Sequence, residues 1–236
     1  MDKLKLQEIK GPYDVIIGLG SWCGPALHLR RHNLRRFSFP FDWVLSYSLT
    51  DAIRLLENRF KDFMEMKNMC LKDGYGNYIN DGVKNSPNSG GSEIVKTYII
   101  EDTYYNIISV HDFTIIPNQD WTEQYPAYKE KLTSRINKFL EVIAASQSVL
   151  FVRFGPVTEN EAVELQSVLK GMISGKFNIL FLQPIYGLAA INEIDWGIDG
   201  ICTVQVPPEK FQDPTINANS DWDYMLNGLS LTNFWI

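Results

Sequence analysis

The sequence predicts a layered α/β domain with a mixed, partly parallel sheet flanked by helices, and three observations carry that expectation. Val149 to Phe154 and Phe177 to Leu182 are apolar strand-like runs. Between them, Thr158-Glu-Asn-Glu161 caps a helix that places Leu165, Leu169 and Met172 on one face. Such a β-α-β unit makes its two strands parallel. Second, Ile94 to Ile100 and Tyr104 to Val110 are β-branched and aromatic runs separated only by Glu101-Asp-Thr103, which suggests an antiparallel pair. Third, 236 residues at 45% hydrophobic and 21% charged suffice for one sizeable core, and nothing marks a seam, so residues 1–236 read as a single domain.

The remaining elements follow in order. Asp14-Val-Ile-Ile-Gly18 is a buried strand closed by glycine, and the turn Leu19-Gly-Ser-Trp22 leads into a helix beginning near Cys23. Pro25 suits a first helical turn, and Arg30 and Arg31 suit a helix end. Phe37 to Trp43 is too aromatic for a solvent loop and too interrupted by proline for a central strand, so it should pack beneath the turn. Ser48-Leu-Thr-Asp51 opens a helix with Ile53, Leu56 and Phe60 at helical spacing. Asp73 to Gly91 reads as a loop with room for a short hairpin. Asp120 to Glu123 caps a long helix whose apolar stripe runs from Tyr125 and Tyr128 through Leu132, Ile136 and Phe139 to Ile143. After Gln183 the pattern weakens to a strand at Ile201 to Val206, a loop from Pro207 to Asn219 and a short helix from Trp222 to Leu226.

Charge and composition narrow the function classes. A net charge of −6 and a pI near 5.1 argue against nucleic acid and anionic membranes as partners unless a local basic patch exists. Cys23, Cys70 and Cys202 are too few for a disulfide framework and favour a reducing, cytoplasmic setting. The N-terminus lacks the apolar run of a signal peptide, and no later run approaches the roughly 18 to 20 apolar residues needed to span a bilayer.

Cys23 stands out by its setting at a helix start, where free N–H groups and the helix dipole favour a thiolate and offer an oxyanion hole. Cys70 and Cys202 have no such setting and read as packing residues. A nucleophilic cysteine needs a base, and His28 and His32 lie further along the helix that Cys23 begins, out of reach of its start. His111, at the end of the second antiparallel run, remains. Asp42 and Asp112 are candidates to orient its ring. Adjacent strand side chains point to opposite faces, which favours Asp42.

Arg153 is a charge inside an apolar strand and needs either a carboxylate or an anionic ligand. Arg30, Arg31, Arg35 and Arg36 form a basic cluster best explained as a helix end with solvated heads. Gly18-x-Gly-x-x-x-Gly24 has the wrong spacing for a dinucleotide fingerprint, and the histidines and cysteines lack metal-ligand spacing.

Gly18-Leu-Gly-Ser-Trp-Cys-Gly-Pro-Ala-Leu27, Phe39-Pro-Phe-Asp-Trp43, Val110-His-Asp-Phe113 and Leu150-Phe-Val-Arg-Phe154 together resemble a bacterial domain of unknown function, DUF1796, described as a papain-like cysteine peptidase. The resemblance spans roughly Asp14 to Phe154, and it implies a papain-like Cys/His site with Cys23 preceding His111 in chain order. The expectation is therefore a thiol-dependent acyl-transfer enzyme, a peptidase, amidase or acyltransferase. Cys23 would be its nucleophile, His111 its base and Asp42 the orienting acid. Ser21, Trp43, Asp112 and Arg153 would contact a small-molecule, peptide or acyl-thioester substrate, with no cofactor and no metal. The alternative is a non-catalytic module in which Arg153, the basic cluster and Trp43 hold an anionic glycan or nucleotide-type ligand.

Overall fold

A computed structural model describes residues 4–79, 81, 94–211 and 220–233. The chain begins with strands β1 (Gly11–Tyr13) and β2 (Val15–Gly18), then helix α1 (Gly24–Arg31), strand β3 (Val44–Leu45) and helix α2 (Leu49–Glu57). Strands β4 (Met69–Asn77), β5 (Lys96–Asp102) and β6 (Ile107–Thr114) follow, and then helix α3 (Tyr125–Ala145). The second half holds β7 (Ser148–Phe154), α4 (Glu159–Lys170), β8 (Lys176–Pro184), β9 (Asn192–Ile194), β10 (Ile201–Val206), α5 (Ser220–Leu226) and β11 (Leu229–Leu231).

These strands form a mixed α/β fold with one mixed and one antiparallel sheet. The first has the order β2-β7-β8-β10-β9, parallel except for its edge strand β9. The unit β7-α4-β8 is the expected parallel crossover. The second, β3-β6-β5-β4, is antiparallel throughout, and β1 pairs with β11 beside them.

Period-two alternation on the parallel strands divides the core. Val149, Phe151, Ile179 and Phe181 face one cluster, shared with α2, α3, α4 and the antiparallel sheet. Leu150, Val152, Leu180 and Leu182 face another, closed by Leu29 of α1 and Trp222 of α5. Each such side chain contributes about 1.5 to 3 kcal/mol on burial, so both faces of the sheet are strongly specified. Cys202 lies in the second cluster as a packing residue. The helix starts obey local chemistry: Ser48 Oγ accepts the Asp51 N–H, and Thr158 and Glu161 form a reciprocal capping box.

Two expectations change. Met69–Asn77 is a strand running into the stretch read as a loop, irregular because its register slips between Lys72 and Gly76. Residues 80 and 82–91 of that stretch lie outside the described residues. His111 stands inside β6 rather than at its end, since the strand continues to Thr114. The β5 register jumps from Tyr98↔Phe113 to Ile100↔Ser109, which leaves Val110, His111 and Asp112 all opposite Ile99. The strand thus carries a wide bulge, a device that re-aims side chains.

Candidate active site

The Cys23 turn lies beyond the carboxyl ends of β2 and β7, the edge where open α/β sheets present their ligands. Gly20 and Ser21 are consecutive residues in the left-handed region, at φ 73° and 76°. Gly20 has no alternative there, because a Cβ would come within 2.7 Å of Ser46 Oγ. The strained Ser21 backbone is fixed from both sides: its N–H donates to Ser46 Oγ at 2.9 Å, and its carbonyl accepts the Ser46 N–H at 3.1 Å.

Arg153 clamps the same turn. Its guanidinium donates to the Leu19 carbonyl at 2.6 Å, the Ser46 carbonyl at 2.7 Å and Ser46 Oγ at 3.2 Å. The head is buried, and burial, opposed by the attraction of the Glu161 carboxylate, pulls its pKa down to about 10, so it remains charged at neutral pH. The sequence offers two roles for Arg153, locking Asp42 or another acid in place or binding a substrate anion; its hydrogen bonds here go to two carbonyls and Ser46 Oγ and not to Asp42. Backbone carbonyls take the role that a carboxylate would have filled.

Cys23 is the N-cap residue of α1, and its carbonyl accepts the Leu27 N–H at 3.0 Å. The Trp22 ring folds across Gly24, where a Cβ would lie 2.1 Å from the indole, so only glycine permits this start. The sulfur is largely enclosed, and burial pushes the thiol up to about 11. Desolvation therefore outweighs the helix-start effect expected from sequence.

The His111 ring donates through Nδ1 to the Asn77 carbonyl at 2.6 Å. A carbonyl can only accept, so Nδ1 carries the proton and Nε2 keeps its lone pair. Burial lowers the ring's pKa against the opposing pull of that carbonyl and of Asp112, which favours the neutral, basic form. Among the described residues no hydrogen bond joins this ring to the Cys23 sulfur or to Asp42.

The carboxylate of Asp42 is engaged elsewhere through Oδ2. It accepts the Phe39 N–H at 2.8 Å and pairs with Arg35 at 2.8 Å, locking the Phe39–Trp43 turn. Asp112 is likewise engaged, by Lys131, by Arg135 at 3.3 Å and by Ser109 Oγ at 3.0 Å. Burial alone would raise its pKa, yet Arg135 and Lys131 bring it down to about 2. Trp43 is buried, its N–H donated to Asp81 and Ser38, with Arg35 over one face and the His111 ring against it edge-on at 6.2 Å. A ligand would find no open indole face there.

Sequence reasoning missed Asp81, Asn77, Ser46 and the burial of Arg35. Arg35 is no solvated helix-end charge, since it holds Asp81 in two hydrogen bonds at 2.6 and 2.8 Å. Arg31 and His32 pair with Asp223, and His28 stacks on Trp222 at 4.5 Å, which tethers α5 to α1 and keeps both histidines away from Cys23.

A cysteine capping a helix at the carboxyl edge of a parallel sheet, in a turn held rigid from beneath, defines a mixed α/β protein with a candidate thiol site. The chain belongs to the family described as "Putative papain-like cysteine peptidase (DUF1796)", whose family model matches residues 2–185. It is 27% identical over 179 residues to an uncharacterized protein of Acanthamoeba polyphaga mimivirus, covering 73% of this chain and 77% of the viral protein. No solved structure matches.

Proposed function

We propose that the protein is a thiol-dependent acyl-transfer enzyme, a peptidase, amidase or acyltransferase, with Cys23 as nucleophile and His111 as base. The observation that carries this reading is the N-cap position of Cys23 on a rigid turn at the sheet's carboxyl edge, in a chain of the papain-like family. In the reaction the sulfur attacks the acyl carbon while the thiol proton passes to His111 Nε2. The carbonyl electrons move onto oxygen and are held by free N–H groups at the start of α1. Collapse expels the leaving group, which takes the proton from His111 and leaves a thioester on Cys23. Water or another acceptor then attacks the thioester, its proton again taken by His111, and the thiol is regenerated.

The high thiol pKa suits a site that stays inert until substrate binding brings base and sulfur together. A reducing, cytoplasmic setting agrees with three cysteines that are all free. The test is intact-mass detection of an acyl adduct after incubation with a panel of acyl thioesters and activated peptide esters, followed by peptide mapping. One acyl group on Cys23 is expected, absent in Cys23→Ser and strongly slowed in His111→Ala. Acylation spread equally over Cys23, Cys70 and Cys202, or none at all, would overturn the reading.

A further inference from the structure

Among the described residues, the His111 ring is held through one hydrogen bond and one aromatic contact. Nδ1 donates to the Asn77 carbonyl at 2.6 Å, and the ring stands perpendicular to the Trp43 indole, with 6.2 Å between ring centroids. Neither holding group is a carboxylate. A carbonyl selects the tautomer as a carboxylate would, but only while the backbone that bears it stays in place. An aromatic neighbour likewise fixes a ring only when it is itself fixed. The orientation of His111 therefore depends on what anchors Asn77 and Trp43.

Both lead to Asp81. This residue follows Asn77 by four positions, and its Oδ2 accepts the Trp43 N–H at 2.9 Å. Arg35 grips the same carboxylate with two hydrogen bonds, at 2.6 and 2.8 Å, the strong bidentate arrangement. Arg35 is fixed in its turn by Asp42 at 2.8 Å, and its guanidinium lies over the Trp43 ring at 5.0 Å. Burial alone would raise the Asp81 pKa, yet Arg35, Ser38 and Trp43 bring it below the usual carboxylate range. An ionised acid is thus built in beside the neighbours of His111 and not against the ring itself.

We propose that Asp81 is the positioning residue of His111: by tying the Asn77 segment and Trp43 to Arg35, it holds the ring with Nδ1 protonated and Nε2 open to receive a proton. Its catalytic meaning rests on the reading of His111 as base, whereas the orientation of the ring does not. The arrangement separates two tasks that one acid combines in a triad. A carboxylate hydrogen-bonded to Nδ1 would orient the imidazole and also stabilise its charged form. Asp81 orients through an indole and a carbonyl, both neutral, and the ring stays neutral, in keeping with the pKa that burial lowers.

The experiment is a long-range proton–nitrogen correlation spectrum of the full chain carrying ring-labelled histidine, at about pH 8, where the imidazoles are neutral. Loss of signals in His111→Ala assigns that ring. Wild type should show a single tautomer, with the proton on Nδ1. In Asp81→Ala the ratio of the Nδ1–H to the Nε2–H form should fall about fivefold or more, the loss of one ordinary hydrogen bond. Asp81→Asn keeps an acceptor for the Trp43 N–H, and there a smaller fall in the same direction is expected should the alanine variant not fold. Asp42→Asn is the control for general loosening, since it weakens the hold on Arg35 without touching the Trp43 N–H or the Asn77 carbonyl. Its His111 signals should match wild type. An unchanged tautomer in a folded Asp81 variant, or an equal change in Asp42→Asn, overturns the proposal. Acylation of Cys23 in the same variants should slow in step with the tautomer, and unslowed acylation beside a shifted tautomer overturns the catalytic role of Asp81. No acylation of wild type, with the tautomer still dependent on Asp81, would defeat the thiol chemistry and leave the positioning of the ring in place.

Discussion

At the scale of single residues, Asp42 shows how a candidate catalytic acid can be diverted to structure. Its Oδ2 accepts the Phe39 N–H and pairs with Arg35, and among the described residues no hydrogen bond joins the carboxylate to His111. Asp42→Asn should therefore cost on the order of 1 to 3 kcal/mol of stability while leaving the titration of Cys23 alone. Thermal melts beside the pH profile of iodoacetamide labelling check this, and wild-type labelling should rise steeply only toward pH 11. A shifted profile with an unchanged melt would restore Asp42 to the catalytic set. The sequence made Cys23 and Arg153 visible because each breaks its local pattern, a thiol at a helix start and a charge in an apolar strand. Their partners left no such trace. Arg153 binds carbonyls, which every residue owns, and Asp81 lies in a stretch of glycines and asparagines with no periodicity to mark it.

At the scale of elements, α1 and α5 are joined by a contact that responds to acid. His28 is buried face to face with Trp222, and burial, with Arg31 and His32 nearby and Asp223 opposing, lowers its pKa to about 4. The unfolded chain binds this proton near pH 6.5 and the folded chain only near 4. The neutral ring's contribution is therefore complete above pH 6.5 and is lost as pH falls toward 4. His28→Phe keeps an aromatic against Trp222 and removes the proton. Melting curves between pH 4 and pH 7 should fall less steeply for the variant, with the Arg31–Asp223 and His32–Asp223 pairs common to both. Parallel slopes would show that His28 is not the group concerned. Elements with strong periodicity, α2, α3, α4 and the strands beside α4, were legible from sequence. The short strands β1, β9 and β11 were not, because three residues carry no measurable alternation and exist only through their partners.

At the scale of the whole molecule, Arg153 ties together the two main sheets. It rises from β7 in the parallel sheet and holds Ser46, the residue after β3 of the antiparallel sheet, as well as Leu19 before Cys23. Arg153→Met would leave two buried carbonyls without donors and should cost about 2 to 4 kcal/mol, measured by urea unfolding. It should also loosen the Cys23 turn, so that iodoacetamide labels Cys23 faster in the folded variant than in wild type. A variant as stable as wild type, with unchanged labelling, would show that packing alone holds the sheets together.

The bulge in β6 bears on how this chain tolerates insertions and deletions. Val110, His111 and Asp112 occupy the span of one ordinary residue, so the strand carries two residues in excess, an even number. Side chains alternate with a period of two, and the excess therefore leaves Phe113 facing the core as it would in a regular ladder. Loss of a single codon here would invert every side chain downstream in the strand and expose Phe113. Loss of Val110 and His111 together would restore an unbroken ladder, keep Asp112 and delete the proposed base. The period of the strand thus tolerates removal of residues here in pairs but not singly.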